Sequence, residues 1–315
     1  MVKEINTTDA TEALHPKYIN PATDFGFKKI FKDEEITRGF LNALIRKYNP
    51  KIHIASVTIT DGEADGSHKQ SRRVVYDVHC VTDTKDEFVI EMQNDSQDFF
   101  SERIIFYLSR AAARQQEKGY INSLDDSGDE KKKDWDYHLN NIYGVFFMNF
   151  KDDKNPKGLT HIALCDTETQ GKIDSEVFQY WKIQMPFYKK MKESDCKDDI
   201  DKWIYNLSNM PTMKTNLAFA NEEPLFRRLE NIATYSALTR EQQIQYDDSF
   251  NNYLAYIGQM HYNLRKGEEK GRKEGEKKGR AEEKIDIARK LKAAGLDADF
   301  IAQTTGLSID EINTL

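Results

Sequence analysis

Apolar positions along the chain recur every three to four residues, then every second residue, then every three to four again, a pattern that predicts helices flanking a sheet. A helical pattern opens behind Thr23 or Asp24 and runs toward Phe31, and a second helix carries Phe40, Leu41, Leu44 and Ile45. Residues 52–60 read as a first strand, and Val74–Val81, rich in β-branched side chains, as a second. Thr82–Glu87 is turn-like and Phe88–Met92 is apolar again, so the two runs form a hairpin. A helix follows from about Phe99 to Lys118, closed by Gly119. Asn141–Phe150 has the continuous apolar character of a central strand, and His161–Cys165 and Val177–Met185 predict two more.

Residues 190–264 turn helical, with Trp203, Ile204, Leu207, Leu225, Leu229, Ile232, Ala233, Tyr253, Ile257 and Met260 as core positions. Beyond Leu264 the pattern changes. Gly267, Gly271, Gly275 and Gly279 recur among Lys and Glu, and each glycine costs a helix about 1 kcal/mol against alanine, so this stretch is a weak helix or a flexible connector. Residues 285–315 form two short amphipathic helices, with Gly295 breaking the first and a Ser308/Glu311 capping box opening the last. Their layout resembles a small helix-turn-helix, and DNA binding and self-association as a homo-oligomer both stay open as roles. The expected organisation is a flexible tail (1–16), a main α/β domain (17–190), a helical extension (191–264), a Gly/Lys/Glu connector (265–284) and a small helical module (285–315).

Composition narrows the class. The 315 residues suffice for one large core or two modest ones. A charged content of 31% and a mean hydropathy of -0.75 describe a soluble protein, with no apolar run long enough for a membrane span and no signal-peptide core near the start. Cys80, Cys165 and Cys196 are scattered, which suggests a reducing, cytoplasmic setting and no zinc site. The net charge of -7 excludes a general basic coat for nucleic acid, so any such contact must come from local patches such as Lys69, Arg72 and Arg73.

The hairpin carries the candidate chemistry. Folded about Thr84-Lys85, it sets Asp77 opposite residues near position 92, with Glu91 and Gln93 both in reach. Two carboxylates within apolar strands repel each other and lose hydration unless a cation sits between them. Oxygen ligands of this kind suit Mg²⁺ or Mn²⁺, and the Met92 main-chain carbonyl can add another. The alternative is a solvent-facing sheet surface. His79, adjacent to Cys80 rather than at ligand spacing, reads as a strand residue.

An acid on one strand, Glu-x-Gln on the next, then a helix bearing Arg and Tyr resembles the PD-(D/E)XK nuclease superfamily. The nearest branch is the recombination-promoting nuclease/transposase family, in which Gln commonly replaces the motif's Lys. The similarity starts at Asp24-Phe25-Gly26-Phe27-Lys28-Lys29-Ile30-Phe31, which looks like that family's Asp-x-x-Phe-Lys-x-x-Phe opening, and continues through Gln93, Arg103, Tyr107, Gly119 and Tyr120, over about residues 17–190. It implies an α/β restriction-endonuclease-like core, a mixed sheet flanked by helices, with an α-helical C-terminal extension. It further implies a metal-dependent DNA endonuclease linked to transposition or recombination. Asp77 and Glu91 would then hold the metal with the Met92 carbonyl, and Gln93 would orient the attacking water. Asp24 would lie near the active site, a place compatible with the helix-capping role its position also suggests. Lys28 can bind phosphate or pair with Asp24 at i,i+4. Arg103, Tyr107, Arg110 and Arg114 share one narrow helical stripe, and Ile104, Leu108, Ala111, Ala112 and Gln115 another that would meet the sheet. An arginine ladder beside a carboxylate pair suits DNA phosphates, a role expected first of Arg103, Tyr107 and Arg110. The competing readings are a degenerate nuclease fold that binds DNA or a partner without cutting, and a self-associating scaffold.

Overall fold

The computed structural model describes residues 16–60, 63–64, 74–123, 138–152, 155–169 and 171–315. The expected tail, the Lys69/Arg72/Arg73 cluster and most of the charged 123–136 loop lie outside the described residues. Two compact units emerge, Met1–Asn251 and Asn252–Leu315.

In the first unit, Thr23 and not Asp24 caps the opening helix: its hydroxyl accepts the Gly26 N–H at 3.0 Å, and Asp24 is the first residue of α1 (Asp24–Phe31). Residue 26 must be glycine, because a Cβ there would stand 2.1 Å from the Asn20 carbonyl oxygen. In α2 (Glu34–Tyr48), Asp33 supplies the cap. The first strand, expected over 52–60, shrinks to β1 (Val57–Thr60). Upstream of it the Asn42 amide bonds both the N–H and the carbonyl of Ile54, each at 2.9 Å, and so takes the place of a neighbouring strand.

A small ribbon, β2 (Glu63–Ala64) with β3 (Val74–Val75), precedes the hairpin of β4 (Val78–Thr82) and β5 (Glu87–Gln93). The run expected as one strand over 74–81 is therefore broken at Tyr76-Asp77. α3 (Phe100–Ser123) runs on through Gly119, where a stop was expected. One glycine lowers helix propensity by about 1 kcal/mol, too little to end an established helix. β6 (Ile142–Met148) is buried at every position, as its apolar run predicts. β7 (Leu159–Asp166) and β8 (Lys172–Gln184) complete a mixed six-stranded sheet in the order β1-β4-β5-β6-β8-β7, with β5, β6 and β8 mutually parallel. Then come α4 (Met185–Tyr188), α5 (Asp199–Asn209), α6 (Pro224–Ala233) and α7 (Arg240–Ala293).

Alternation along the strands divides the packing. Phe88 and Ile90 of β5, with Tyr143, Val145 and Phe147 of β6, join α1, α2, α5, α6 and Tyr246 in one main core. Phe27, Phe31 and Phe40 ring Phe147 at centroid distances of 5.4–5.6 Å. On the opposite face Ile142 and Phe146 meet Ile104, Leu108 and Ala111 of α3, the stripe assigned to the sheet. The helical segment beyond residue 190 thus shares the core of the sheet. The chain's early residues do as well: Tyr18 bridges to Thr234, and its hydroxyl donates to Glu230 at 2.5 Å.

In the second unit, residues 265–284 are helix, continuous within α7. Ion pairs at i,i+4, such as Glu269–Lys273 and Arg272–Glu276, support it, and a helix already nucleated on either side propagates through the glycines. Nothing lies within 4 Å of a Cβ built at Gly267, Gly271, Gly275 or Gly279. α8 (Ala298–Thr305) and α9 (Ile309–Thr314) pack Ile301 and Ile312 on Ala288, Gly295 and Gly306 turn the chain with positive φ, and the Ser308/Glu311 capping box is formed. All three cysteines are free, and no described helix is long and apolar enough to cross a membrane.

Phe147→Ala should destabilise the chain by about 3–5 kcal/mol, since three rings lose their common partner and cannot collapse together. Chemical denaturation checks this, and a loss under about 1 kcal/mol would show the ring cluster to be dispensable.

Candidate active site

The break between β3 and β4 creates the site. Register places Val78 against Ile90, so Asp77 continues opposite Glu91. There the ladder rungs give way to side chains. The Asp77 N–H donates to Glu91 Oε1 at 3.0 Å, and the Met92 N–H donates to Asp77 Oδ2 at 2.8 Å. Each carboxylate is thus held by a backbone amide of the opposite segment. The N–H and carbonyl of a strand residue point to the same side, so the Met92 carbonyl also faces the Asp77 segment.

Glu91 is 6% exposed, and a carboxylate so enclosed loses most of its hydration. Burial first, and the Asp77 charge second, push the Glu91 carboxyl up to about 8. Burial likewise raises Asp77 above the usual carboxylate range, against the pull of the Met92 N–H and of the Lys28 and Arg103 charges. Both shifts run the same way, toward a pair that shares a proton rather than one that carries two charges. A divalent ion would replace that proton. Among the described residues no three His, Cys, Asp or Glu side chains gather as a metal cage. Two carboxylates and one main-chain oxygen suit a hard cation that retains several waters, the habit of Mg²⁺ and Mn²⁺.

Two helices bring cationic groups to the pair. On α1, Lys28 Nζ lies 2.7 Å from Asp24 Oδ1, the anticipated i,i+4 pair, and both charges are felt at Asp77. The start of that helix is tied to the end of β5, where the Asn94 amide donates to the Ala22 carbonyl at 2.8 Å. On α3, Arg103 donates to Gln97 Oε1 at 3.0 Å and to the Tyr107 hydroxyl at 2.9 Å, so guanidinium and phenol are placed as a unit. Tyr76 meets Tyr107 edge to face and donates to its main-chain carbonyl at 3.1 Å. Burial pushes the Tyr76 phenol up to about 12, with Arg114 and Arg110 pulling against Glu91 and Glu87. The arginine stripe of α3 therefore runs beside the carboxylate-bearing sheet face.

The structure brings Asp77, Glu91, the Met92 backbone, Asp24, Lys28 and Arg103 into one electrostatic neighbourhood. Gln93 ends β5, two positions beyond Glu91 on the same face, and its amide donates to the Asp95 carbonyl at 3.2 Å. His79 is a strand residue, 1% exposed, bonded to Glu87 at 2.9 Å and to the Thr60 hydroxyl. Sequence reading missed the Asn94 tie and the His79–Glu87 pair. An antiparallel register counted back from Asp77/Glu91 would have placed Glu87 near His79.

A family model described as PD-(D/E)XK nuclease family transposase matches residues 21–262. No curated protein and no solved structure matches.

Glu91 binds more proton folded than unfolded between its ordinary value and about 8. Stability without metal therefore falls as pH rises through that window and levels off above it. In chelator, melting temperatures from about pH 5 to about pH 9 should show this fall, and Glu91→Gln should remove most of it. Parallel curves for the two proteins would show that Glu91 ionises normally.

Proposed function

The chain belongs to the PD-(D/E)XK nuclease family transposases, and from that premise we propose that it is a metal-dependent DNA endonuclease that hydrolyses phosphodiester bonds in transposition or recombination. The observation that carries this reading is the Asp77/Glu91 pair, half-buried at Asp77 and buried at Glu91, fixed by crossed backbone hydrogen bonds and sharing too little solvent to hold two charges. Retaining such a pair inside the fold costs stability, and cation binding is the chemistry that offsets the cost.

Asp77, Glu91 and the Met92 carbonyl would hold Mg²⁺, Mn²⁺ or another divalent cation. When bound, that cation supplies charge neutralisation at the scissile phosphate and a lowered pKa for water. The protein's own groups do the rest. Arg103, braced by Gln97 and Tyr107, presents a guanidinium to phosphate oxygens. Arg110 extends that basic stripe along α3. Lys28 exchanges its Asp24 partner for a phosphate oxygen. Gln93 can give up its bond to the Asp95 carbonyl and position the attacking water through its amide. That existing bond, together with the lack of a cation at position 93, favours the second reading, a fold that binds DNA without cutting it.

Purified protein incubated with plasmid DNA and Mg²⁺ or Mn²⁺ should nick or linearise it, and chelator should stop the reaction. Asp77→Ala and Glu91→Ala should each abolish cutting while keeping the far-UV spectrum, and wild-type activity in either would remove the pair from the mechanism. Gln93→Ala should lower turnover by about two to three decades, as a lost positioning contact does, and Gln93→Lys should retain more. Equal rates for wild type and Gln93→Ala would mark Gln93 as a bystander.

A further inference from the structure

Beside the carboxylate pair, and outside every role assigned above except those of Asp24 and Lys28, a cleft of about 600 Å³ opens between α1 and the first turns of α7. One wall is basic: Lys28 and Lys29 lie in the last turn of α1, and Lys32 is its C-cap. The facing wall is neutral and rich in hydrogen-bonding groups, since Gln242, Gln245 and Ser249 share one face of α7. Phe25 and Ile232 add the apolar part of the lining.

The acids at the rim are already matched. Asp24 is paired with Lys28, and Asp33 takes a two-pronged bond from Arg228 at 2.8 and 2.9 Å. Lys29 and Lys32 make no ion pair with any described residue. In a chain of net charge -7, two ammonium groups with no ion-pair partner among the described residues, set over neutral amides, form a local positive field. The walls are fixed before anything binds. The Phe25 N–H donates to Ser249 Oγ and the Asn20 N–H to the Tyr246 hydroxyl, each at 3.0 Å. Lys28 belongs to both places, because its charge acts on Asp77 and Glu91 while its side chain lines the cleft.

We propose that this cleft holds the sugar–phosphate backbone of duplex DNA next to the bond being cut, with Lys29 and Lys32 on phosphates and Gln242, Gln245 and Ser249 on phosphate or sugar oxygens. The assignment rests on the nuclease reading and adds where the substrate continues. Such contacts set position and affinity and carry no base specificity, because lysine, glutamine and serine here meet only backbone oxygens.

The test measures binding of wild type, Lys29→Ala/Lys32→Ala, Gln245→Lys and a control, Lys51→Ala/Lys190→Ala, to a labelled DNA duplex in chelator across a salt series. The double variant should bind more weakly, with the slope of log K against log salt shallower by close to two units, about 0.9 per lost phosphate contact. Gln245→Lys should bind more tightly and steepen the slope by about one unit. The control should match wild type, because both of its lysines are exposed and line no part of the cleft. Far-UV spectra confirm that each variant is folded. A wild type that binds and cuts DNA, with Lys29→Ala/Lys32→Ala equal to it in slope, overturns the cleft and leaves the nuclease reading standing. A wild type that neither binds nor cuts overturns both.

Discussion

Two backbone-to-carboxylate hydrogen bonds organise this molecule. Where β4 begins, the ladder to β5 is carried by the Asp77 and Glu91 side chains, and each takes the amide of the other segment. Neither carboxyl can swing away to water without leaving a backbone N–H unpaired, and a buried unpaired amide costs about 1–3 kcal/mol. Repulsion between the carboxyls is thereby built into the strand pairing. The parallel register of β5 on β6 then holds the hairpin against the most deeply buried strand of the sheet. Asn94 fastens the opening of α1 to the same strand end, so the nearest lysine keeps its place by backbone contacts too.

The same economy explains the two faces of the sheet. Aromatic rings from α1 and α2 converge on Phe147, and the helices beyond residue 190 close over the same side. The other face is shared between a small apolar patch under α3 and a row of buried polar groups, His79, Glu87 and Glu91. That face is where polar chemistry is concentrated, and α3 covers it with arginines as well as alanine and leucine. A dry aromatic core on one face and a helix-covered polar face on the other keep these carboxylates poorly hydrated.

Much of this was legible in the amino-acid order. The hairpin, the central strand, the stripe of α3 that meets the sheet and the Ser308/Glu311 cap all follow from local periodicity, which the fold obeys wherever hydrophobic burial is strong. The failures were local too. Whether Thr23 or Asp24 caps α1 turns on which side chain reaches Gly26, and periodicity does not record that. The break at Tyr76-Asp77 was invisible because side-chain carboxylates, not turn residues, replace the ladder there. Gly119 suggests a helix stop and Gly267–Gly279 a weak helix or flexible connector, but the helix runs through both, because helix continuity is cooperative and outweighs single residues. The cleft walls were beyond reach for a different reason: Lys29 and Gln245 line one cleft only because the start of α7 packs near α1, more than 200 residues apart in sequence.

The seam between Tyr18 and α6 has a consequence for how the chain is made. Tyr18 bonds to Glu230 across 212 residues of sequence, and Asn20 bonds to Tyr246 across 226. At about 5–20 residues per second, the start of the chain waits roughly 10–40 s on the ribosome for these partners to be synthesised. Through that interval Tyr18, Ile19 and Asn20 lack these partners, whereas the aromatic face of α1 can already meet Phe40 and Phe147. The nascent chain thus passes through a window of that length in which this seam has only one of its two sides.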